Sequence, residues 1–246
     1  MNKTKIEWVK NPDGSQGYTI NPVKGLCPVA CPYCYARRMY QRFKWDPTIR
    51  YDPRAWLGVG SLRKPSRIFV GSTMELFHDS LSKQYLKWIF EVPLEFPQHT
   101  FIFLTKQPQN LLRWSPFPDN CYVGVTATDY WKYVDACNYL SRIEASVKFL
   151  SLEPLLSWDK EPSYFFESGG VSWLIIGAQT KPTVLPRIEW VQEIVQAADK
   201  AGIRVFLKDN LKPVLNYPFT NPWAYAPNHW DIRQEMPEEV NQCKES

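Results

Sequence analysis

Three cysteines stand close together in this 246-residue chain: Cys27, Cys31 and Cys34, spaced C-x3-C-x2-C in the stretch CPVACPYCY. Thiolates are soft donors and suit zinc or an iron–sulfur cluster. Structural zinc takes four ligands, commonly as two separated cysteine pairs. Here there is one tight group, and the nearest downstream histidine is His78, so zinc would need a distant fourth ligand. A [4Fe–4S] cluster is normally held by four cysteines; three would leave one iron open to a small molecule. Gly25, Pro28 and Pro32 mark the stretch as a shaped loop, not a buried element. The other cysteines, Cys121, Cys137 and Cys243, are scattered. The start, MNKTKIEWVKNPDG, is polar and broken by Pro and Gly, unlike a secretory leader. No apolar run approaches the roughly 18 residues of a membrane helix. The expectation is a cytoplasmic protein whose thiols stay reduced, with the bunched cysteines as ligands.

Loops of this kind need a scaffold. Six apolar runs read as strands buried on both faces: 66–72, 99–106, 121–128, 146–155, 171–179 and 203–209, with a weaker seventh at 17–21 before the cysteines. Helical patterns lie between several of them. Residues 82–96 begin at Ser82, a good cap, with Pro93 a break; 129–144 begin at Asp129; 187–202 end at Gly202. Strand, helix, strand, repeated, implies α/β architecture with a parallel sheet. At this length the expectation is a partial or complete parallel βα-barrel in one domain, residues 1–209, followed by an irregular, aromatic-rich extension, 210–246. A doubly wound open sheet competes, but no glycine-rich dinucleotide fingerprint follows any run. In a βα-barrel the site lies at the carboxyl ends of the strands. Those ends carry Gly71, Ser72, Thr73 and Glu75, then Lys106, Thr126 and Thr128, Ser151 and Glu153, Gly177 and Gln179, and Lys208 and Asp209.

The cysteine loop, with Tyr33 before the last cysteine, resembles the signature of the radical S-adenosylmethionine superfamily. The blocks NPVKGLCPVACPYCYA, FVGSTMELFHD, FIFLTKQPQNL, YVGVTAT, KFLSLEPLL, WLIIGAQT, RVFLKD and HWDIRQEMP, in this order, are similar to an uncharacterised phage and prokaryotic family of radical-SAM-like proteins. The resemblance implies a [4Fe–4S] cluster on Cys27, Cys31 and Cys34, with S-adenosyl-L-methionine bound at the open iron through its amino and carboxylate groups. It implies reductive cleavage to a 5′-deoxyadenosyl radical, fed by an external one-electron donor of flavodoxin or ferredoxin type. It places the methionine end near Gly71, Ser72, Thr73 and Glu75, the ribose near Thr126, Thr128 and Ser151, and the adenine near Tyr33, Gly177 and Gln179. Lys106, Glu153, Lys208 and Asp209 are left as substrate contacts. Arg37 and Arg38, on the helix after the loop, would neutralise the cluster or the carboxylate, or simply be surface charges.

The formal charge, 29 − 25 = +4, is mildly basic. It permits a nucleobase, nucleotide or nucleic acid as substrate without arguing for one. Aromatics make up 15% of the chain and would offer stacking faces, or only core. The extension carries Tyr217, Phe219, Trp223, Tyr225, His229 and Trp230, and either covers the barrel mouth or finishes the core on the outer helices. A reading from another class is a non-catalytic zinc- or cluster-binding module that interacts with nucleic acid.

Overall fold

The structure, a computed structural model, describes residues 1–158, 166, 169–215 and 232–237. The aromatic part of the extension, 216–231, lies outside the described residues, and so does Cys243.

All seven apolar runs form strands. β1 (Asn2–Lys3) pairs antiparallel with β2 (Tyr18–Ile20). From β2 the sheet continues, parallel throughout, through β5 (Arg67–Val70), β6 (Thr100–Thr105), β7 (Cys121–Thr126), β8 (Val147–Leu152), β9 (Trp173–Ile176) and β10 (Arg204–Leu207). β3 (Val23–Lys24) and β4 (Arg50–Tyr51) form a separate antiparallel hairpin around the cysteine loop and α1 (Tyr35–Phe43). The domain is thus mixed α/β with an eight-stranded, mostly parallel sheet. Its end strands, β1 and β10, do not pair with each other, so the sheet is not closed.

Side chains alternate across the parallel strands, as strand geometry requires. Ile68, Phe103, Val123, Leu150, Leu174 and Val205 join one apolar layer with α2 (Lys83–Glu95), α3 (Tyr130–Leu140) and α4 (Ile188–Lys200). Phe69, Ile102, Tyr122, Phe149, Trp173 and Phe206 turn the other way and meet Trp8. The three long helices therefore share one face. The other face is curled: the Trp8 ring lies 5.0 Å from that of Phe69 on β5 and 6.1 Å from that of Trp173 on β9. Four ladders separate those strands, about 19 Å in a flat sheet, so one indole reaches both only across a concave surface. Gly124 sits directly opposite Phe149 in register, and a Cβ there would lie 2.3 Å from the Phe149 ring. The missing side chain makes room for the ring that packs on Trp8.

The segment carrying Trp8 also reaches the other edge of the sheet. Glu7 accepts from the Asp209 backbone N–H at 2.7 Å, and Lys10 donates to Gln234 at 3.1 Å. Residues 232–237 in turn bond along β10, Leu207 N–H to the Arg233 carbonyl at 2.8 Å and Glu235 N–H to the Val205 carbonyl at 3.0 Å. An edge strand's open groups are thereby covered.

The cap signals hold. Ser82 and Asp129 cap α2 and α3 through their side chains. Gly202 follows α4 with φ +68°, the left-handed geometry expected after a helix end. Pro93 does not break α2, which runs two residues further. It stands in the last turn, where its missing N–H costs the ladder one bond, the one to the Ile89 carbonyl. Asn120 ties the helix end to the chain that follows, its side-chain amide donating to the carbonyls of Pro93, Phe96 and His99 at 2.9–3.2 Å.

Candidate functional site

The cysteine loop hangs between hairpin and helix. Gly25 opens it at φ +113°, and a Cβ there would lie 2.6 Å from the Thr48 carbonyl oxygen, so only glycine fits. The Gly25 N–H donates to the Tyr40 hydroxyl at 2.9 Å, and Arg37 donates to the Cys27 carbonyl at 2.8 Å. Cys34 caps α1, its sulfur accepting from the Arg37 N–H at 3.5 Å. α1 therefore fixes both ends of the cysteine run. Arg37, read from sequence as a charge for the cluster or the surface, is a strut of the loop. Arg38 likewise binds the Lys181 carbonyl.

Cys27, Cys31 and Cys34 are free, half-buried thiols that line one cavity of about 390 Å³. Gly71, Ser72, Thr73 and Glu75 line the same cavity, as do Lys106, Thr126, Ser151, Glu153, Gln179, Lys208 and Tyr33. Residues from six strand ends and the cysteine loop thus meet in one place. The apolar wall is Ile6, Trp8, Phe69 and Leu104. Among the described residues, no three His, Cys, Asp or Glu side chains converge closely enough to grip a metal ion as they stand.

Glu75 is only 6% exposed. Its Oε1 accepts from the Thr105 hydroxyl at 2.6 Å and the Phe77 N–H at 3.2 Å, and its Oε2 from the Lys106 N–H at 2.7 Å. Burial holds the carboxyl above its ordinary range, opposed by these three donors. A carboxylate has about four acceptor positions, so the three donors leave about one, on a residue that lines the cavity. Ser72 and Thr73 are held by Asn21, whose Oδ1 accepts from both hydroxyls and from the Thr73 N–H at 3.1–3.2 Å. Their protons are committed; their lone pairs are free to accept.

Lys106 donates to the Thr126 hydroxyl at 3.4 Å. Lys208 pairs with Glu153 across Gly177, where a Cβ would lie 2.9 Å from Lys208 Cδ and 3.3 Å from Glu153 Cγ. Gly177 is therefore the bare floor under an ion pair and does not itself line the cavity. The Ser151 hydroxyl, 1% exposed, has no hydrogen-bond partner. Burial and the neighbouring Cys31 thiol push the Tyr33 phenol up. Burial also pushes up the Cys27 thiol. In the core, the Cys137 thiol is pushed up to about 12 by burial, and Cys121 is raised by the same cause. Neither lines the cavity.

Two further sequence candidates stand apart. Thr128 accepts from Lys132 at 3.0 Å beside the cap of α3 and does not line the cavity. Asp209 pairs with Lys212 at 2.9 Å, and its half-exposed carboxylate is no part of the lining, contrary to the expectation that it faces the cavity. Phe206 and Lys208 share the inner parity of β10, whereas Asp209, two residues past the end of that strand, already begins the short 3-10 turn Asp209–Leu211. Sequence reading missed Asn21 and Asn210. The latter clamps the end of β9 through both the Ala178 N–H at 3.0 Å and its carbonyl at 2.9 Å. An Asn just beyond a strand is too common a turn residue to single out either one.

The chain belongs to the family described as "Protein of unknown function (DUF5131)", which matches residues 3–212. No curated protein and no solved structure matches the chain. Among the described residues no helix is long and apolar enough to cross a membrane.

Proposed function

We propose that this protein is a radical S-adenosylmethionine enzyme on a partial βα-barrel, with a [4Fe–4S] cluster held by Cys27, Cys31 and Cys34. One observation carries the reading. The three free thiols of a C-x3-C-x2-C loop open into the same cavity as the polar residues at the carboxyl ends of parallel strands. The donor set fits the group: soft, half-buried ligands from one short loop. The unpartnered Ser151 hydroxyl fits a bound molecule as well, since buried polar atoms are nearly always paired. Helices on one face of a curled sheet favour the barrel over a doubly wound sheet, which carries them on both.

When bound, the cluster supplies the electron, drawn from an external flavodoxin- or ferredoxin-type donor, that cleaves S-adenosylmethionine and yields the 5′-deoxyadenosyl radical for hydrogen abstraction. The chain's own residues bind and orient. Glu75 offers its open acceptor position to the ammonium of the methionine arm, and the Ser72 and Thr73 lone pairs add further acceptors. Lys106 is the cation for the carboxylate. Thr126 and Ser151 serve the ribose hydroxyls, and Tyr33 and Gln179 the adenine side. The Lys208–Glu153 pair presents both charge signs to a substrate. Trp8, Phe69 and Leu104 keep water from that wall.

The test is anaerobic reconstitution with iron and sulfide, then addition of S-adenosylmethionine and dithionite. The expected result is about four irons and four sulfides per chain, with 5′-deoxyadenosine formed. A chain that takes up one zinc and no cluster, or a full cluster whose spectrum ignores S-adenosylmethionine, refutes the reading.

A further inference from the structure

Helix α1 does more than brace the cysteine loop. Of its nine residues only Ala36 is buried. Across residues 35–45, YARRMYQRFKW, the charges are Arg37, Arg38, Arg42 and Lys44, with no acid. That is +4, the formal charge of the entire chain, so the other 235 residues sum to zero. Among the described residues none of the four forms an ion pair with a carboxylate; the next acid, Asp46, is taken by Arg50 at 2.6 Å. The same stretch exposes rings. Phe43 and Trp45 are 52% and 47% exposed and lie stacked, centroids 5.5 Å apart and planes 23° from parallel. The Arg42 guanidinium sits 5.3 Å over Phe43. Exposed rings gathered in one patch and interleaved with cations that no carboxylate answers mark an interaction surface.

The strip also has a direction. At its start Tyr35 lines the cavity and donates to the Ser72 carbonyl at 3.1 Å. At its far end are Phe43, Lys44 and Trp45. A ligand lying along α1 therefore ends at the cavity rim.

We infer that this strip is a docking track for single-stranded nucleic acid. Phosphates answer Arg42 and Lys44, with the charge of Arg37 and Arg38 behind them, and unpaired bases have the flat faces that Phe43 and Trp45 can stack on. An acidic peptide would match the charge and leave the rings unused. A duplex keeps its bases stacked and out of reach. Binding needs neither cluster nor cofactor; only the further step, that the docked strand is the substrate, rests on the radical chemistry proposed above.

The test is fluorescence anisotropy of a labelled 12-nucleotide poly-dT strand, titrated with both the purified and the reconstituted protein over a range of salt. Saturable binding that weakens with salt is expected. In Arg42→Gln/Lys44→Gln the log–log salt slope should become shallower by about 1.4, since each single-strand phosphate contact contributes about 0.7. Phe43→Ala and Trp45→Ala should each weaken binding about tenfold, leave competition by inorganic polyphosphate unchanged, and leave the melting temperature unchanged. Phe43→Tyr and Trp45→Phe keep a ring and should retain most of the affinity. No saturable binding, equal binding by all variants, or preference for polyglutamate or for a 12-base-pair duplex overturns the inference. A strand-binding protein without iron would leave the track standing and sink the radical reading; an iron-loaded protein that ignores the strand would do the reverse.

Discussion

Glu75→Gln tests the buried carboxyl with little change of shape. Glutamine keeps the length of the side chain and alters only charge and one acceptor. With Oε1 retained by Thr105 and Phe77, the new amide nitrogen would face the Lys106 N–H, which now donates to Oε2 at 2.7 Å. Two donors would oppose each other, and a buried N–H left unpaired costs about 1–3 kcal/mol. Against this, the variant escapes the desolvation of an ionised carboxyl. pH separates the two effects. Burial raises the folded-state value above the ordinary 4.5. Between 4.5 and that raised value the folded chain binds more protons than the unfolded one. Wild-type stability therefore falls as pH rises through this window and is flat above it, with a slope approaching about 1.4 kcal/mol per pH unit. The glutamine variant has no carboxyl here to titrate. In urea unfolding from about pH 4.5 to 8, the wild-type advantage over the variant should shrink as pH rises. A difference independent of pH would show that Glu75 is not the buried, titrating group described here. At fixed pH the variant should also bind S-adenosylmethionine more weakly, because an amide cannot pair with the ammonium as a carboxylate does.

Three other outcomes follow from the same contacts. Replacing Cys27, Cys31 or Cys34 by Ala should each abolish iron incorporation, whereas Cys121→Ala and Cys137→Ala, in the core, should not; iron and sulfide assays decide it. Asn21→Ala removes the acceptor of three hydrogen bonds that hold Ser72 and Thr73, and should cost about 1–3 kcal/mol in urea unfolding. It should weaken S-adenosylmethionine binding too, and a variant unchanged in both would leave Asn21 incidental. Gly177→Ala drives a methyl group against Lys208 and Glu153 and should cost about 1–3 kcal/mol of stability with iron content unchanged. Loss of iron in that variant would mean that the end of β9 touches the cluster loop, which the contacts above do not include.

The sheet was legible because its strands are buried on both sides. A strand between helices and Trp8 has no polar positions to spare, so each of the six main runs is a plain apolar block. The ladders stop short of the run ends, and the residues left over, such as Gly71, Lys106, Glu153, Gly177 and Lys208, are those around the cavity. Curvature was not legible in the same way. It depends on Trp8, which sits in a polar segment with no periodicity, and on Gly124 making room for Phe149. Neither fact is visible until the register is known. Pro93 misled because the one ladder bond it removes lies in the last turn, and Asn120, 27 residues away, anchors that helix end through the Pro93 carbonyl.

The site divides along the same line. Parallel strands all end on one side, so listing their carboxyl ends was enough to bring most of the candidate residues into one cavity. Which of two adjacent residues turns inward is a second question, and alternation answers it without a structure. Phe149, Ser151 and Glu153 continue one inner row of β8, and Phe206 and Lys208 one inner row of β10. Asp209 lies past the end of that row, in the short 3-10 turn Asp209–Leu211, and is paired with Lys212. Thr128 has the inner parity of β7 and still misses the cavity. There the strand has already ended, and Asp129 is turning the chain into α3. Parity predicts direction only while the ladder lasts. Beyond it the chain is steered by contacts between residues far apart in sequence. Asn21 fixing Ser72 and Thr73, and Arg37 fixing Cys27, are of that kind, and both act on the loops that bear the proposed ligands.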